Sequence, residues 1–272
     1  ELPPKRRREN HVFERGNWLV KGKEVQPGIP ELMRPDSKES YDNRLDLARW
    51  LVSEQNPLTS RVTINRFWEQ LFGYGIVETM EDFGSQGFPP SHPQLLDWLA
   101  VTFSQDYDWD MKKLLKTIVM SATYRQSSEG NAEKYANDPK NRLLARGPKV
   151  RLSSEQIRDQ ALAVSGLLNL KMHGPSIYPP RPDVSSSFWG SWGKSDSEEQ
   201  NRRSIYIFWR RTNPYPSMIT FDSPSRTVCS SRRIRTNTPL QALNLLNDPV
   251  YYQAAVSLAS QMQAQYPNDI RE

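Results

Sequence analysis

The sequence predicts a mainly α protein: a multi-helix orthogonal bundle with a small β element and long irregular loops. Three observations carry this. Apolar residues recur at helical spacing in at least six segments. Several of those segments open on capping residues. And the 21 prolines outnumber the 13 glycines, which favours stiff connections between helices over pliable ones.

Taken in order, 1–10 is charged and proline-containing, with a basic run at 5–8, and reads as the end of a linker. Residues 11–15 suit a short strand, and the Pro/Gly-bearing stretch 22–30 an extended arm. In 43–54, Leu45, Ala48, Leu51 and Val52 fall on one helical face. A helix over 59–72 carries Val62, Ile64, Phe67, Trp68, Leu71 and Phe72, and Gly73 stands at its C-terminal stop. Ser91 and Gln94 suggest a capping box for a helix over 93–104. Asp108 or Asp110 caps the next helix, built on Met111, Leu114, Leu115, Ile118 and Val119. Ser153 and Gln156 form another capping box, for 155–170, with Ile157, Ala161, Val164, Leu167 and Leu168 as its apolar set.

The pattern then changes. Residues 172–200 form a long irregular loop bearing Tyr178, Phe188, Trp189 and Trp192. The β-branched and aromatic run RSIYIFWRR at 203–211 predicts a strand, with 11–15 or 216–221 as partner. Helix returns at 238–247, with Thr238 as N-cap, Pro239 at the first helical position and Gln241 completing a capping box. Pro249 restarts it, and Val250, Tyr251, Ala254, Ala255, Leu258 and Met262 extend an apolar stripe. One helical domain over 11–272 is expected, as a piece of a longer protein, since the chain starts at Glu1 without methionine and stops at Glu272 in helical character.

Bulk properties narrow the chemistry. The net charge of +5 is modest for 272 residues, and acids are interspersed throughout. The single cysteine, Cys229, excludes an internal disulfide and any CxxCH haem attachment within the chain. An axial haem ligand would have to be His11, His92, His173 or a methionine, and a structural role suits each histidine better. His92 could converge with Glu81 and Asp82, but HxxxH or HxxE spacing is missing, so no metal is expected. No run of the chain reads as membrane-inserting.

The site candidates concentrate in 219–247. The segment carries Asp222, Arg226, Cys229, Arg232, Arg233 and Arg235, then runs into the capped helix at Thr238. Guanidiniums at this density need carboxylates, carbonyls or an anionic ligand. Two ligand-related readings stand side by side. In one, the arginines form an internal network that ties Asp222 and other acids to helix ends. In the other, Arg226, Arg232, Arg233 and Arg235 hold carboxylates or sulfates while Trp189, Trp192, Trp209 and Tyr215 offer flat apolar faces. Cys229 among arginines is a candidate reactive thiol. Asp222, Asp183, Glu81 and Asp82 are candidate carboxylates for polysaccharide hydrolysis, which needs two acids across a cleft. Nucleic-acid binding through the basic aromatic run is a third reading, weakened by the absence of RNA-recognition spacing or a helix-turn-helix pattern.

Several long runs can be quoted together: NRLDLARWLVSEQNPLTSRVTINRFWEQLFGYGIVETMEDFGSQGFPPSHPQLLDWLA, SATYRQSS, NRLLARGPKVRLSSEQIRDQALAVSGLL and RTNTPLQALNLLNDP. Together they resemble the planctomycete PSD domain, the family of domain of unknown function fifteen fifty-three. The resemblance implies the C-terminal domain of exported, cytochrome C domain-containing bacterial proteins, hence an extracytoplasmic setting and haem c in an upstream domain rather than here. It also implies neighbouring domains of the same polypeptide as partners, and a link to electron transfer or to polysaccharide degradation. The family has no established catalytic residue to transfer. The function expected is a non-catalytic scaffold or ligand-binding module, with acidic or sulfated polysaccharide as candidate partner. The alternatives are a polysaccharide-degrading enzyme using Asp222 and, after it, a nucleic-acid binder.

Overall fold

The computed structural model describes residues 8–33, 43–181 and 192–266. The chain divides into two compact units, Glu1–Val150 and Arg151–Glu272. Helices dominate both, and the only sheet among the described residues has two strands.

The first unit opens with β1 (Asn10–Phe13) paired antiparallel to β2 (Lys21–Val25), Asn10 opposite Val25 and His11 opposite Glu24. The predicted strand near 11–15 therefore exists, but its partner is β2. Helix α1 (Arg44–Leu51) starts at Asn43, whose side chain accepts from the N–H groups of Leu45 and Asp46. It buries Trp50, while Leu45 and Val52 of the expected apolar face stay exposed. Helix α2 (Thr59–Phe72) ends where the sequence places its stop, because Gly73 adopts a left-handed φ of 87°. Helix α3 (Pro93–Val101) runs into a π-helical turn over 102–106, where Tyr107 N donates to Thr102 O.

The Ser91 capping box is absent. His92 is the N-cap residue and makes no side-chain cap; the Ser91 hydroxyl instead lies 3.3 Å from Ile76 O and 3.0 Å from His92 Nδ1. Asp110 caps α4 (Met111–Met120), and two short helices, α5 (Ala122–Arg125) and α6 (Ala132–Asn137), follow. The core gathers Ile64, Trp68 and Phe72 of α2, Leu96, Leu99 and Ala100 of α3, Phe103, and Leu114 and Ile118 of α4. Trp68 and Phe72 stack with centroids 4.1 Å apart. Buried Asn65 replaces a missing ladder: its amide donates to Val77 O and accepts from Val77 N, pinning 75–77 onto α2.

In the second unit, α7 (Ser154–Val164) begins with the expected Ser153–Gln156 capping box. It stops well short of residue 170, because Gly166 takes a φ of 69°. After α8 (Ser197–Gln200) the segment 203–211 departs from its strand prediction. Ser204–Tyr206 is a 3₁₀ turn, and Ile207 makes an isolated parallel bridge to Ile177. The physical reason is competition for backbone groups. Arg158 and Asp159 engage the main chain at 200–204 with their side chains, and the N–H groups of Tyr206 and Ile207 turn back onto Arg203 O and Ser204 O, so pairing is confined to 206–208 against Ile177. Helix α9 (Pro216–Thr220) leads to α10 (Pro239–Asn247) and α11 (Pro249–Gln265), and Asp248 caps the last of these. Ser257 and Gln261 of α11 both donate to Ser165 O just beyond α7. A second core forms from Ile177, Ile207, Tyr215 and Met218.

Candidate functional site

The arginine segment is a loop closed at its base. Asp222, at a φ of 63°, accepts from Thr236 N at 2.7 Å and from Thr236 Oγ1 at 2.8 and 2.9 Å. Gln241, buried at the start of α10, donates to Thr220 O (2.9 Å) and to Asp222 Oδ2 (3.4 Å), and accepts from Thr238 N (3.2 Å). Arg151 donates to Thr236 O and lies 5.8 Å from the centre of the Phe221 ring. Residues 222–236 thus form an Ω-type loop whose ends are latched side by side. The partners of Asp222 are Thr236 and Gln241 rather than the arginines expected in the internal-network reading.

The guanidiniums separate into distinct settings. Arg233 reaches back to α7 and binds Glu155 with both terminal nitrogens, at 2.5 and 3.1 Å. Burial pushes the Glu155 carboxyl up, but the two Arg233 hydrogen bonds, its own backbone N–H and the Arg233 charge outweigh this and hold it at about 2. Arg226, at a φ of 58°, lies 4.6 Å over the Trp209 ring. Arg232 is exposed and Arg235 half-buried, and neither makes an ion pair or hydrogen bond among the described residues. Cys229 is a free, exposed thiol on the same loop.

The aromatic candidates lie elsewhere in the unit. Trp192 donates from Nε1 to Pro179 O, meets Tyr178 edge-on at 5.4 Å and stacks on Tyr215 at 6.2 Å. Arg181 sits 5.0 Å over its ring. Its indole is thereby taken up in internal packing. Trp189, Phe188 and Asp183 lie outside the described residues. Among those described, no group of three or more His, Cys, Asp and Glu side chains converges as a metal site. No described helix is long and apolar enough to cross a membrane.

The most concentrated chemistry is a buried network that the sequence reading missed. Arg158, on the inward face of α7, donates to Arg202 O (2.9 Å), Gln200 O (2.6 Å) and Ser204 Oγ (3.2 Å). Burial lowers its pKa, opposed by the nearby Tyr215, Asp159, Tyr251 and Asp248. Arg202, equally buried, donates to the carbonyls of Lys171, His173 and Pro175 and to Glu199, with its guanidinium 3.9 Å from the centre of the Tyr206 ring. Tyr215 donates to Asp248, whose carboxylate also accepts from Val250 N. Burial raises the pKa of both Tyr215 and Asp248. Ser217 and Tyr251 lie hydroxyl to hydroxyl at 3.0 Å. The one available signal was the fourfold spacing Ser154, Arg158, Leu162, which is the face α7 buries; Val164 of the expected apolar set points outward.

These features define a class: a mainly α protein whose C-terminal unit is tied together by buried guanidiniums and displays a latched, cation-bearing loop. Within that class the chain belongs to the PSD1 family, proteins of unknown function (DUF1553), whose model matches residues 43–272. No curated protein and no solved structure matches the chain.

Proposed function

We propose that the chain is a non-catalytic scaffold or ligand-binding module of an exported, cytochrome-c-associated multidomain protein of planctomycete bacteria, and that its 222–236 loop holds carboxylate or sulfate groups of acidic polysaccharide. One observation carries the ligand-binding part. Arg232 and Arg235 have no anionic partner among the described residues, on a loop whose ends are fixed by Asp222 and Thr236. A latched loop loses less conformational entropy on binding, and planar guanidiniums match carboxylate and sulfate oxygens in pairs. Asp222 favours the non-catalytic reading, because its carboxylate is engaged within the fold by Thr236 and Gln241. The exported, extracytoplasmic setting rests on the resemblance of the sequence segments to the planctomycete domain.

Retention on a sulfated-polysaccharide column, read as the salt needed for elution, tests this. The 272-residue chain is expected to be retained, and the Arg232→Ala/Arg235→Ala variant to elute at clearly lower salt. Equal elution of the two proteins would remove the loop from the proposal.

A further inference from the structure

Helix α10 is built inside out. A surface helix ordinarily turns leucines inward and polar residues outward. Here the buried position is Gln241, and Asp248, just past the helix, is buried too, at 2% and 1% exposure. Asn244 lies half-buried on the same side, with its Oδ1 enclosed and without a hydrogen-bond partner among the described residues. All four leucines face out: Leu240, Leu243 and Leu246 are 66%, 55% and 74% exposed, and Leu245 is 43% exposed. The inversion has a local cause. Gln241 is needed inside to hold Thr220 O and Thr238 N, and Asp248 to accept from Tyr215, so the polar side of the helix must face the unit. The leucines are left 43–74% exposed, and across 238–265 the only charged residue is the buried Asp248.

We infer that this leucine face is a docking surface for an acidic amphipathic helix of a partner protein. The charges of the loop that leads into the helix decide the sign. The loop leading into α10 carries Arg226, Arg232, Arg233 and Arg235 against the single acid Asp222, which is engaged by Thr236. Arg232 and Arg235 remain without ion pairs among the described residues, and strongly exposed Val228 and Ile234 alternate with them. An apolar stripe preceded in the chain by a loop with two guanidiniums unpaired among the described residues is complementary to a helix with leucine-type anchors on one face and glutamates or aspartates flanking them. A basic partner would be repelled at the same place. The inference goes beyond the polysaccharide reading, since leucine side chains offer a sulfated sugar nothing, and the two share only the arginines.

The test uses the whole chain and two labelled helical peptides about 18 residues long, or five turns. Both carry leucines on one face; the flanks are glutamate in one and lysine in the other. Binding is followed by fluorescence anisotropy at low and high salt. The glutamate peptide is expected to bind at least about tenfold tighter than the lysine peptide. Leu243→Asp/Leu246→Asp, whose sites are exposed and whose folding circular dichroism checks, should weaken it about tenfold or more. Arg232→Ala/Arg235→Ala should weaken it and flatten its salt dependence. Equal binding of the two peptides, no saturable binding of the glutamate peptide, or indifference to the leucine substitutions would each overturn the inference. So would a dimer in sedimentation that the leucine variant abolishes, which would make a second copy the occupant. Polysaccharide retention separates the two readings: the leucine variant keeps it if the loop acts alone, and loss of retention with intact peptide binding would sink only the polysaccharide proposal.

Discussion

Replacing Glu155 with glutamine should make the C-terminal unit less stable at neutral pH and no less stable in acid. The carboxyl is held at about 2 in the folded protein against 4.5 when free. Taken at face value, that difference of about 2.5 units corresponds to ~3.4 kcal/mol at 1.36 kcal/mol per unit. The Arg233 side chain is 37% exposed and that of Glu155 20%, so solvent screening reduces the usable value to ~1–2 kcal/mol. A depressed carboxylate pKa stabilises above the unfolded value and loses that contribution as the pH falls through the folded one. The gap between wild type and Glu155→Gln should therefore be full above about pH 5 and close steadily between about 4.5 and 2. Urea-dependent hydrogen exchange of the α7 amides reads the stability of this unit without assuming that the chain unfolds in one step. Arg233→Ala should reproduce the loss, and the double variant should add little to either single one. A gap independent of pH, or fully additive single substitutions, would show that the bidentate pair does not govern the docking of the 222–236 loop on α7.

Arg158→Met removes three donors to the 200–204 segment and leaves those acceptors buried; a loss of ~3–5 kcal/mol is expected in denaturant unfolding, and a loss under ~1 kcal/mol would mean that water replaces the guanidinium. Tyr251, pushed up to about 12 by burial, should resist ionisation in alkaline spectrophotometric titration. Its raised pKa means that stability is full below about pH 10 and falls as the pH climbs towards 12, so ionisation of Tyr251 near pH 10 in the folded chain would contradict its buried pairing with Ser217. Gly75→Ala would place a Cβ 2.5 Å from Val77 O and 2.7 Å from Asn65 Nδ2, and should destabilise the N-terminal unit by ~2 kcal/mol or more; an unchanged melting temperature would show that the Asn65 clamp can give way.

Much of the fold was legible because helix limits are set locally. Gly73 stops α2, Asp110 caps α4, Ser153 and Gln156 open α7, and Pro239 starts α10, each by chemistry within one turn of chain. The buried face of a helix is not local. Periodicity assigned Val164 to the inside of α7, whereas Arg158 is inside, and nothing in the spacing of α10 marked Gln241 as its buried residue. A guanidinium or an amide can occupy the interior once carbonyls from distant segments converge on it, and no spacing rule records where those carbonyls will be. The 203–211 run illustrates the same point, since its β-branched composition suits a strand while Arg158 and Asp159, far away in sequence, hold the main chain at its start, at Arg202 O and Ser204 N. Dense in arginine and closed by a capping box, the 222–241 segment stood out from the sequence alone. That Thr236 and Gln241 hold Asp222, that Arg233 belongs to Glu155, and that Arg232 and Arg235 face no acid of the described chain follow from the fold, because partner choice depends on which side chains folding brings within hydrogen-bond reach.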